Sequence, residues 1–306
     1  MNASPSEMFR DPALVDFGAD SGGHGRRLER LGGVLVDRPL PQATGPRRSP
    51  AAWAEAGAVF RVAADSPTAT AAARGTWGFA ATPPEPWQVA VPIGHATLAL
   101  EVRPAPSGQV GVFLEQVEQW RWLAHSARPG APLLSLFGHS GAASLAAAAA
   151  GAEVTHVDAS RQAIALARRN AEASGLAHLP VAWICEDAAT FVARCLRRGR
   201  RFSGIVLDPP SWGHGPKGQP FAIDRDLPGL LADASRLLDP SAPGPVLVTC
   251  HSSGWHPRRL VDTLSEAFAA AEARPPGAIE SGALACRDDA GRSLDLGTFV
   301  RSAASL

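Results

Sequence analysis

From about residue 109 onward, short apolar runs alternate with longer amphipathic segments. Apolar runs of four to six residues fit buried strands, and the amphipathic segments, whose apolar positions recur every three to four residues, fit helices. The pattern predicts strands over 133–137, 154–157, 181–185, 204–207 and 246–249. It predicts helices over 109–126, from the small-residue segment up to 150, and over 160–174, 188–198, 224–238 and 257–273.

Strands and helices that alternate in this way favour a parallel sheet covered by helices on both faces. Two closing strands, predicted at 278–287 and 294–301, have only the turn 288–292 between them and should pair antiparallel. We therefore expect residues 105–306 to form a Rossmann-like α/β domain whose sheet ends in an antiparallel C-terminal hairpin.

Residues 1–104 show a different pattern and are predicted to form a loose tail of about twenty residues followed by a small β-rich domain. Candidate strands are 34–36, 58–62, 87–91 and 96–102, and 92–95 resembles a hairpin turn between the last two. The intervening segment 63–86 is rich in Ala, Thr and Pro, so we expect it to be irregular.

Composition limits the classes of function. The 29 basic and 29 acidic residues give zero net charge, so contact with nucleic acid would need a local basic patch. The four cysteines form no C-x-x-C pair, which argues against a zinc site and fits a reducing compartment. The chain begins without a secretory pattern, and its most apolar stretch, 144–152, is too short to span a bilayer. We expect a cytoplasmic protein without a membrane segment or a metal.

The candidate ligand-binding groups follow the predicted strands, because ligands of open parallel sheets bind beyond the carboxyl ends of the strands. Gly138 and Gly141 permit a tight turn and close approach of a ligand to the backbone. Asp158 ends the next strand, where a carboxylate can accept hydrogen bonds from ribose hydroxyls. The alternatives are a turn that is only structural, and an aspartate that only caps the next helix.

Two further groups end the third and fourth strands. Asp187, after Glu186, could reach an adenine amino group or could cap the helix that begins at Ala188. The sequence Asp208-Pro209-Pro210 ends the fourth strand, where two prolines fix the backbone and remove two donors. This rigid segment is the most specific motif in the chain, and a plain proline-rich loop is its alternative.

These motifs, in this order, resemble the ribosomal-RNA methyltransferase family that includes the bacterial 23S rRNA cytosine-C5 enzymes. The resemblance covers about 105–306, includes the segment 111–116, and extends weakly to 25–33 and 38–43. It implies a class I methyltransferase fold, S-adenosylmethionine as cofactor, and cofactor binding by Phe137, Gly138, His139, Ser140, Gly141, Asp158, Asp187 and Asp208. We further expect Ala159 and Ala188 to contact the cofactor, catalysis at Asp208, Pro209 and Pro210, and ribosomal RNA as the substrate.

The chain departs from the cytosine-C5 enzymes after the fifth strand. Those enzymes carry a nucleophilic cysteine there, because attack on C6 of the base activates C5. Here the matching position is Ser252, and Cys250 lies two residues earlier. Methylation of an amine or ring nitrogen, which already has a lone pair, is easier to explain with these residues.

Several residues beyond the strand ends are candidates for binding substrate. Trp212 and Trp255 could stack on an unpaired base or could pack loops onto the domain. Lys217 lies in a glycine-rich loop and could contact a phosphate. The full candidate set is Ser211, Trp212, Lys217, His251, Ser252 and Trp255. The basic run 194–201 is interpreted as a solvated face that matches the helix dipole at the opposite edge of the sheet.

Other functions remain open from the residues alone. Ser140, Asp208 and His251 occur in the order of a serine hydrolase triad, and 138–142 nearly matches G-x-S-x-G. An NAD-dependent dehydrogenase would share the glycine turn and Asp158. A methyltransferase of a small molecule or protein, and a non-catalytic RNA-binding protein, are further alternatives.

Overall fold

The computed structural model describes residues 13–63, 74–215 and 220–304. These residues form two compact units. The first contains residues up to Pro92 together with Ala99–Leu114 and Ala285–Leu294. The second contains Ile93–Leu98, Glu115–Leu284 and Asp295 to the end. The predicted boundary at residue 104 thus lies inside Ala99–Leu114, and the tip of the C-terminal hairpin belongs to the first unit.

The first unit is β-rich, as predicted. Its strands and single helix are β1 (Ala13–Ala19), β2 (Gly25–Leu31), β3 (Val34–Pro39), α1 (Pro50–Ala54), β4 (Ala58–Val62) and β5 (Gly75–Phe79). The five strands form one sheet in sequence order, antiparallel except where β3 and β4 run parallel. A separate hairpin pairs β6 (Gln88–Ile93) with β7 (Ala96–Glu101), which confirms the predicted hairpin.

The expectation of a loose tail through the first twenty-odd residues is wrong for β1, and β5 lies within the segment expected to be irregular. In β1, the buried Asp16 interrupts the apolar pattern. Its carboxylate accepts bonds from the backbone N–H groups of Arg48 and Ser49 and from Trp53 Nε1. These partners are distant in sequence, so local pattern could not reveal that an aspartate belongs in a buried strand.

The tip of the C-terminal hairpin supplies a further partner within this unit. Arg292 donates to the Asp16 carboxylate and to the carbonyl oxygen of Phe17 at 2.8 Å, and its guanidinium lies 2.7 Å from Asp288 Oδ2. Burial alone would raise the pKa of Asp16, but the bonds from Ser49, Trp53 and neighbouring groups outweigh it and lower the pKa. A carboxylate with so many donors stays ionised inside the protein.

The second unit has the predicted alternation of strands and helices. Its sheet strands are β8 (Pro132–Leu136), β9 (Glu153–Asp158), β10 (Val181–Cys185), β11 (Gly204–Leu207), β14 (Val246–Cys250), β15 (Ile279–Arg287) and β16 (Ser293–Ser302). A short hairpin between them pairs β12 (Trp212–His214) with β13 (Pro220–Ala222). The helices are α2 (Val117–Ser126), α3 (Ala142–Ala149), α4 (Arg161–Ala173), α5 (Ala188–Arg197), α6 (Ile223–Ser235) and α7 (Pro257–Ala270).

The sheet order is β10-β9-β8-β11-β14-β16-β15. The strands from β10 to β14 run parallel, and β16 runs antiparallel to β14, as predicted for the closing hairpin. The chain moves outward in one direction from β8 to β10 and in the other from β11 to β14, and β16 then returns from the edge strand β15 to pair with β14. The sheet therefore has its topological switch point between β8 and β11, where ligands bind in folds of this kind.

Burial explains the strands and helices. Every residue of β11 and β14 is buried, as expected for central parallel strands covered on both faces. One face packs against α5, α6 and α7 through residues such as Phe191, Leu227 and Leu264. The other face packs against α2 and α3, whose Ala147 and Ala148 are fully buried.

One helix differs from its prediction at its start. The pattern predicted a helix from residue 109, but the structure has a short 3-10 turn over Leu114–Gln116 before α2 begins at Val117. Gly111 has φ +79° and Val110 and Val112 are buried, so the preceding segment is extended packing rather than helix. The apolar residues at 110, 112 and 114 recur with a period of two, which fits an extended segment rather than a helix.

No helix among the described residues is both long and apolar enough to cross a membrane.

Candidate active site

The carboxyl ends of the parallel strands meet at one edge of the sheet. Parallel pairing aligns Leu136 with both Val157 and Leu207, Cys185 with Asp158, and Leu207 with Val248. The glycine turn, Asp158, Asp187 and the Asp-Pro-Pro segment begin at or within two residues of these aligned positions. The structure thus brings together, at the switch point, the groups that the sequence predicted for the cofactor.

The turn after β8, residues 137–141, has an unusual backbone. Phe137 and His139 have φ of +55° and +42°, and Gly141 has φ of +81° at the start of α3. Positive φ in residues with a side chain is strained and needs support from the surroundings. Support comes from the Gly138 N–H, which donates to Val157 O at 3.1 Å, and from Asn170 Nδ2, which donates to Ser140 O at 2.8 Å.

Position 138 needs a glycine because a neighbouring side chain leaves no space for a Cβ atom, and not because of its φ angle. A Cβ atom at this position would lie 2.2 Å from Cε1 of His156. His156 is fully buried, its Nδ1 is 2.8 Å from Ser144 Oγ, and its ring packs on Trp183. Burial lowers the pKa of His156 to about 3, with a smaller contribution from His139, so the ring beneath the turn is neutral.

Asp158 connects two strand ends. Its Oδ2 accepts from the His139 N–H at 2.9 Å, and its Oδ1 accepts from the Ser160 N–H at 2.8 Å. Each carboxylate oxygen keeps a second lone pair for a hydroxyl donor. Next to it, Ala159 O lies 3.6 Å from Cys185 Sγ, and Ser160 caps α4 as predicted.

Asp187 caps α5. Its Oδ1 accepts from both the N–H and the Oγ1 of Thr190, at 2.8 and 2.9 Å, so the capping interpretation holds. These bonds involve Oδ1 alone, and the predicted contact with adenine therefore remains compatible with the cap. Ala188, directly after it, is buried and leaves the adjacent strand end without a bulky side chain.

Asp208 is held at the end of β11 by a chain of polar groups. Thr249 Oγ1 donates to Asp208 Oδ1 at 2.6 Å, and Gln116 Nε2 lies 3.1 Å from both Thr249 Oγ1 and His251 Nε2. His251 Nδ1 lies 3.0 Å from Leu296 O. Gln116 and Thr249 are buried, whereas the Asp208 side chain is 38% exposed.

A buried carboxylate lies beside this chain. Glu115 has a side chain only 5% exposed, and its Oε1 is 3.7 Å from His251 Nδ1. Its Oε2 is buried without a hydrogen-bond partner among the described residues. An unpaired carboxylate oxygen of this kind matches a ligand that carries positive charge. Glu115, Gln116 and Thr249 were not predicted as site residues. The resemblance over 111–116 pointed to the segment, and two adjacent polar residues before a helix were its only chemical signal.

The substrate-side residues are divided between surface and interior. Pro209 is buried, Pro210 and Ser211 are exposed, and Trp212 is 62% exposed at the start of β12. Ser252 is buried and its Oγ donates to Ser211 Oγ at 2.6 Å. Lys217 lies outside the described residues.

Trp255 is packed into the protein. Only 6% of it is exposed, its Nε1 donates to Asp224 Oδ1 at 3.0 Å, and the Arg259 guanidinium lies 4.0 Å from its ring centre. This is the packing alternative that the sequence left open for the two tryptophans. Trp212, by contrast, is largely exposed to solvent.

Cys250 is unsuited to nucleophilic attack. It is fully buried at the end of β14, and burial raises the pKa of its thiol. The thiolate is the reactive form of cysteine, so a raised pKa in an inaccessible position opposes covalent catalysis.

The hydrolase interpretation finds no support. Asp208 Oδ1 and His251 Nε2 are 3.7 Å apart, and His251 also lies within hydrogen-bonding distance of Gln116 and Leu296 O. Ser140 is buried within the glycine turn. Nor do the described residues contain a group of three or more His, Cys, Asp or Glu that could hold a metal ion.

A seven-stranded sheet with this order, an acidic residue after β9 and a glycine turn after β8 defines a class I methyltransferase. Comparisons agree. An S-adenosylmethionine-dependent methyltransferase from Agrobacterium tumefaciens is 32% identical, with a TM-score of 0.82 over 97% of this chain and 91% of that chain. The chain therefore belongs to the family of S-adenosylmethionine-dependent methyltransferases, and S-adenosylmethionine is its cofactor.

Other relatives match part of the chain. The family described as "Conserved hypothetical protein 95" matches residues 117–214. Ribosomal RNA large subunit methyltransferase I of Aeromonas hydrophila is 33% identical over 147 residues, which are 48% of this chain and 36% of that protein. The chain thus spans about a third of the length of this curated relative. A structure with S-adenosylhomocysteine bound, 16% identical with a TM-score of 0.66 over 96% of this chain and 76% of that one, shares the fold.

The site fits this cofactor. S-adenosylmethionine is a cation with ribose hydroxyls, and the edge offers the unpaired Glu115 oxygen and the accepting carboxylate of Asp158. The absence of a Cβ at Gly138 lets the turn lie close to His156.

Proposed function

We propose that this enzyme methylates a base of ribosomal RNA, and that the acceptor is a nitrogen atom rather than C5 of cytosine. The ribosomal RNA relatives support the substrate, and the exposed Trp212, two residues after Pro210, is the observation on which the proposal depends most. Such a substrate would place the enzyme in the cytoplasm.

In this proposal, residues 137–141 and Ala159 surround the cofactor. Asp158 accepts hydrogen bonds from the ribose hydroxyls, and Asp187 with Ala188 lies near the adenine. When bound, S-adenosylmethionine supplies an electrophilic methyl group and takes up the electron pair of its carbon–sulfur bond on transfer. The protein's own task is to present an acceptor and to remove one proton.

Asp208 is proposed to receive that proton. An amino nitrogen that donates an N–H to the carboxylate directs its lone pair toward the cofactor side, and loss of the proton to Asp208 and then to water leaves a neutral product. Proximity in a fixed geometry supplies most of the acceleration. Pro209 and Pro210 keep this segment rigid because their φ angles are fixed.

Trp212 is proposed to stack on an unpaired base. Stacking of a base on an aromatic side chain is worth about 1–3 kcal/mol. Ser211, Ser252 and His251 lie on the same side as lesser polar contacts, Lys217 is proposed to contact a phosphate, and the first unit is proposed to help bind RNA. For Trp255, burial against Asp224 supports a role in shaping the loop rather than stacking.

We propose a nitrogen acceptor rather than C5 because the thiol of Cys250 is inaccessible. Transfer to C5 needs a thiolate at C6, whereas Cys250 is buried with a raised pKa and Ser252 occupies the matching position. An amine or a ring nitrogen needs no covalent intermediate.

The test is transfer of labelled methyl groups to ribosomal RNA from cells that lack the protein, followed by analysis of the nucleosides. We expect an N-methylated nucleoside, and a Trp212→Ala enzyme should raise KM for RNA about 5- to 100-fold, while Trp212→Phe stays close to wild type. Formation of 5-methylcytidine would contradict the nitrogen assignment. Label found only in protein or small molecules would remove RNA as the substrate.

A further inference from the structure

We propose that Gln116 and Thr249 are positioning residues for Asp208. They form the centre of a hydrogen-bond relay, which we define as Leu296 carbonyl, His251, Gln116, Thr249 and Asp208. The relay fixes one oxygen of the Asp208 carboxylate and leaves the other for the methyl acceptor. The inference rests on the proposed role of Asp208.

The direction of the relay is set at its far end. A carbonyl oxygen can only accept, so the 3.0 Å contact with Leu296 O places a proton on His251 Nδ1. An amide nitrogen can only donate, so Gln116 Nε2 gives one of its hydrogens to His251 Nε2 at 3.1 Å, and that ring nitrogen accepts.

The second half of the relay follows from the first. The other hydrogen of Gln116 Nε2 goes to Thr249 Oγ1 at 3.1 Å. Because that oxygen accepts from the amide, its own proton points away, toward Asp208 Oδ1 at 2.6 Å. The carbonyl oxygen of Leu207, at 3.5 Å from Thr249 Oγ1, is a much poorer acceptor. All donors in the relay therefore act in one direction, and the last one reaches a charged group.

The relay is buried at Gln116 and Thr249 and exposed to solvent at Asp208. Gln116 and Thr249 are 4% and 2% exposed, so each would be left with an unpaired polar group if the relay broke. The Asp208 side chain is 38% exposed. Thr249 thus holds Oδ1 from the protein side, and Oδ2 is the oxygen that a substrate N–H can approach.

Steady-state methyl transfer by the whole enzyme with ribosomal RNA tests the proposal. Thr249→Val keeps the shape of the side chain and removes the donor, and we expect kcat to fall about 10- to 100-fold. KM for RNA and the affinity for S-adenosylhomocysteine should stay within about 3-fold, because neither is bound by Thr249. Thr249→Ser keeps the hydroxyl and should restore kcat to within about 3-fold of wild type.

Two further variants separate the possible failures. Thr263→Val makes the same change at a buried threonine of α7 that donates to Arg259 O, and it should keep full kcat. Asp208→Asn should lose at least as much kcat as Thr249→Val. A fully active Asp208→Asn would overturn the proposed role of Asp208 itself.

If Asp208→Asn is impaired and Thr249→Val is not, the relay alone is refuted. Equal loss in Thr249→Ser and Thr249→Val would also refute it, since the hydroxyl would then not matter. In case the Val variant unfolds, the Ser variant is compared with Gln116→Met by crystallography, which should show Asp208 Oδ1 bound in the first and a rotated carboxylate in the second. An unmoved carboxylate in Gln116→Met would overturn the proposal.

Discussion

Gly138→Ala should impair cofactor binding through a clash with a side chain beneath the turn. The new Cβ would lie 2.2 Å from His156 Cε1 and 2.4 Å from Nδ1, whereas carbon atoms in contact stay about 3.5–4 Å apart. The turn or the ring must therefore move by roughly 1 Å. The ring is confined by Ser144 and Trp183, and the turn is already strained at Phe137, so neither moves easily.

Overpacking of this size costs about 1–3 kcal/mol. Since the turn is proposed to contact the cofactor, we expect the Kd for S-adenosylhomocysteine to rise at least about 10-fold, which corresponds to about 1.4 kcal/mol. Isothermal titration calorimetry measures the Kd, and urea unfolding measures the stability. Gly229→Ala is the matched control, because nothing lies within 4 Å of its Cβ in α6 and a helical alanine should be neutral or stabilising.

The clash also predicts a rescue. In the double variant Gly138→Ala with His156→Ala, the added methyl group has room, so the two changes should be coupled by at least about 1 kcal/mol in stability. Affinity for S-adenosylhomocysteine should recover at least in part. A Gly138→Ala enzyme that binds like wild type, or a double variant whose losses simply add, would refute the reasoning.

Three other predictions concern single features. Asp158→Asn should weaken S-adenosylhomocysteine binding about 10- to 100-fold in calorimetry, because hydrogen bonds to a charged acceptor are lost; unchanged affinity would remove Asp158 from the cofactor site. The pKa of His156 is about 3 when folded and 6.5 in the unfolded chain, so its contribution to stability is complete above pH 6.5 and is lost toward pH 3, by about 1.4 kcal/mol per pH unit. Urea midpoints at pH 7 and pH 5 should therefore differ less in His156→Gln than in wild type, and equal differences would contradict this. Replacing Arg197, Arg198 and Arg201 by Gln should leave the salt dependence of RNA binding unchanged, whereas a slope reduced by about 2–3 would show that they contact phosphates.

The second unit could be predicted from the sequence because its central strands are buried on both faces. Four-residue runs such as Gly204–Leu207 contain no polar residue, and the helices between them have a single apolar stripe. Its candidate cofactor residues could be placed for the same reason, since the carboxyl ends of parallel strands must share one edge. The observed ends of these strands differ from the predicted ends by no more than about two residues, which is the usual uncertainty of such boundaries.

The first unit and the relay could not be derived in this way. β2 has the sequence GRRLERL, which looks like a solvated segment, yet Glu29 is fully buried between Arg27 and Arg38. Burial and these two arginines act in opposite directions on the pKa of Glu29, and the arginines prevail and lower it. Whether such a polar residue is buried depends on partners that are distant in the sequence. Gln116 and Thr249, which are hydrogen-bonded, are likewise 133 residues apart.

The ion pairs of Arg292 with Asp16 and Asp288 determine which fragments of the protein can be expected to fold. A fragment that stops at residue 104 would leave the Asp16 carboxylate buried without its guanidinium, and unpaired buried charge is strongly destabilising. The first unit therefore depends on Ala285–Leu294, which follow the whole of Glu115–Leu284 in the sequence. A fragment meant to reproduce this unit must contain both parts, so no single cut in the chain can release it.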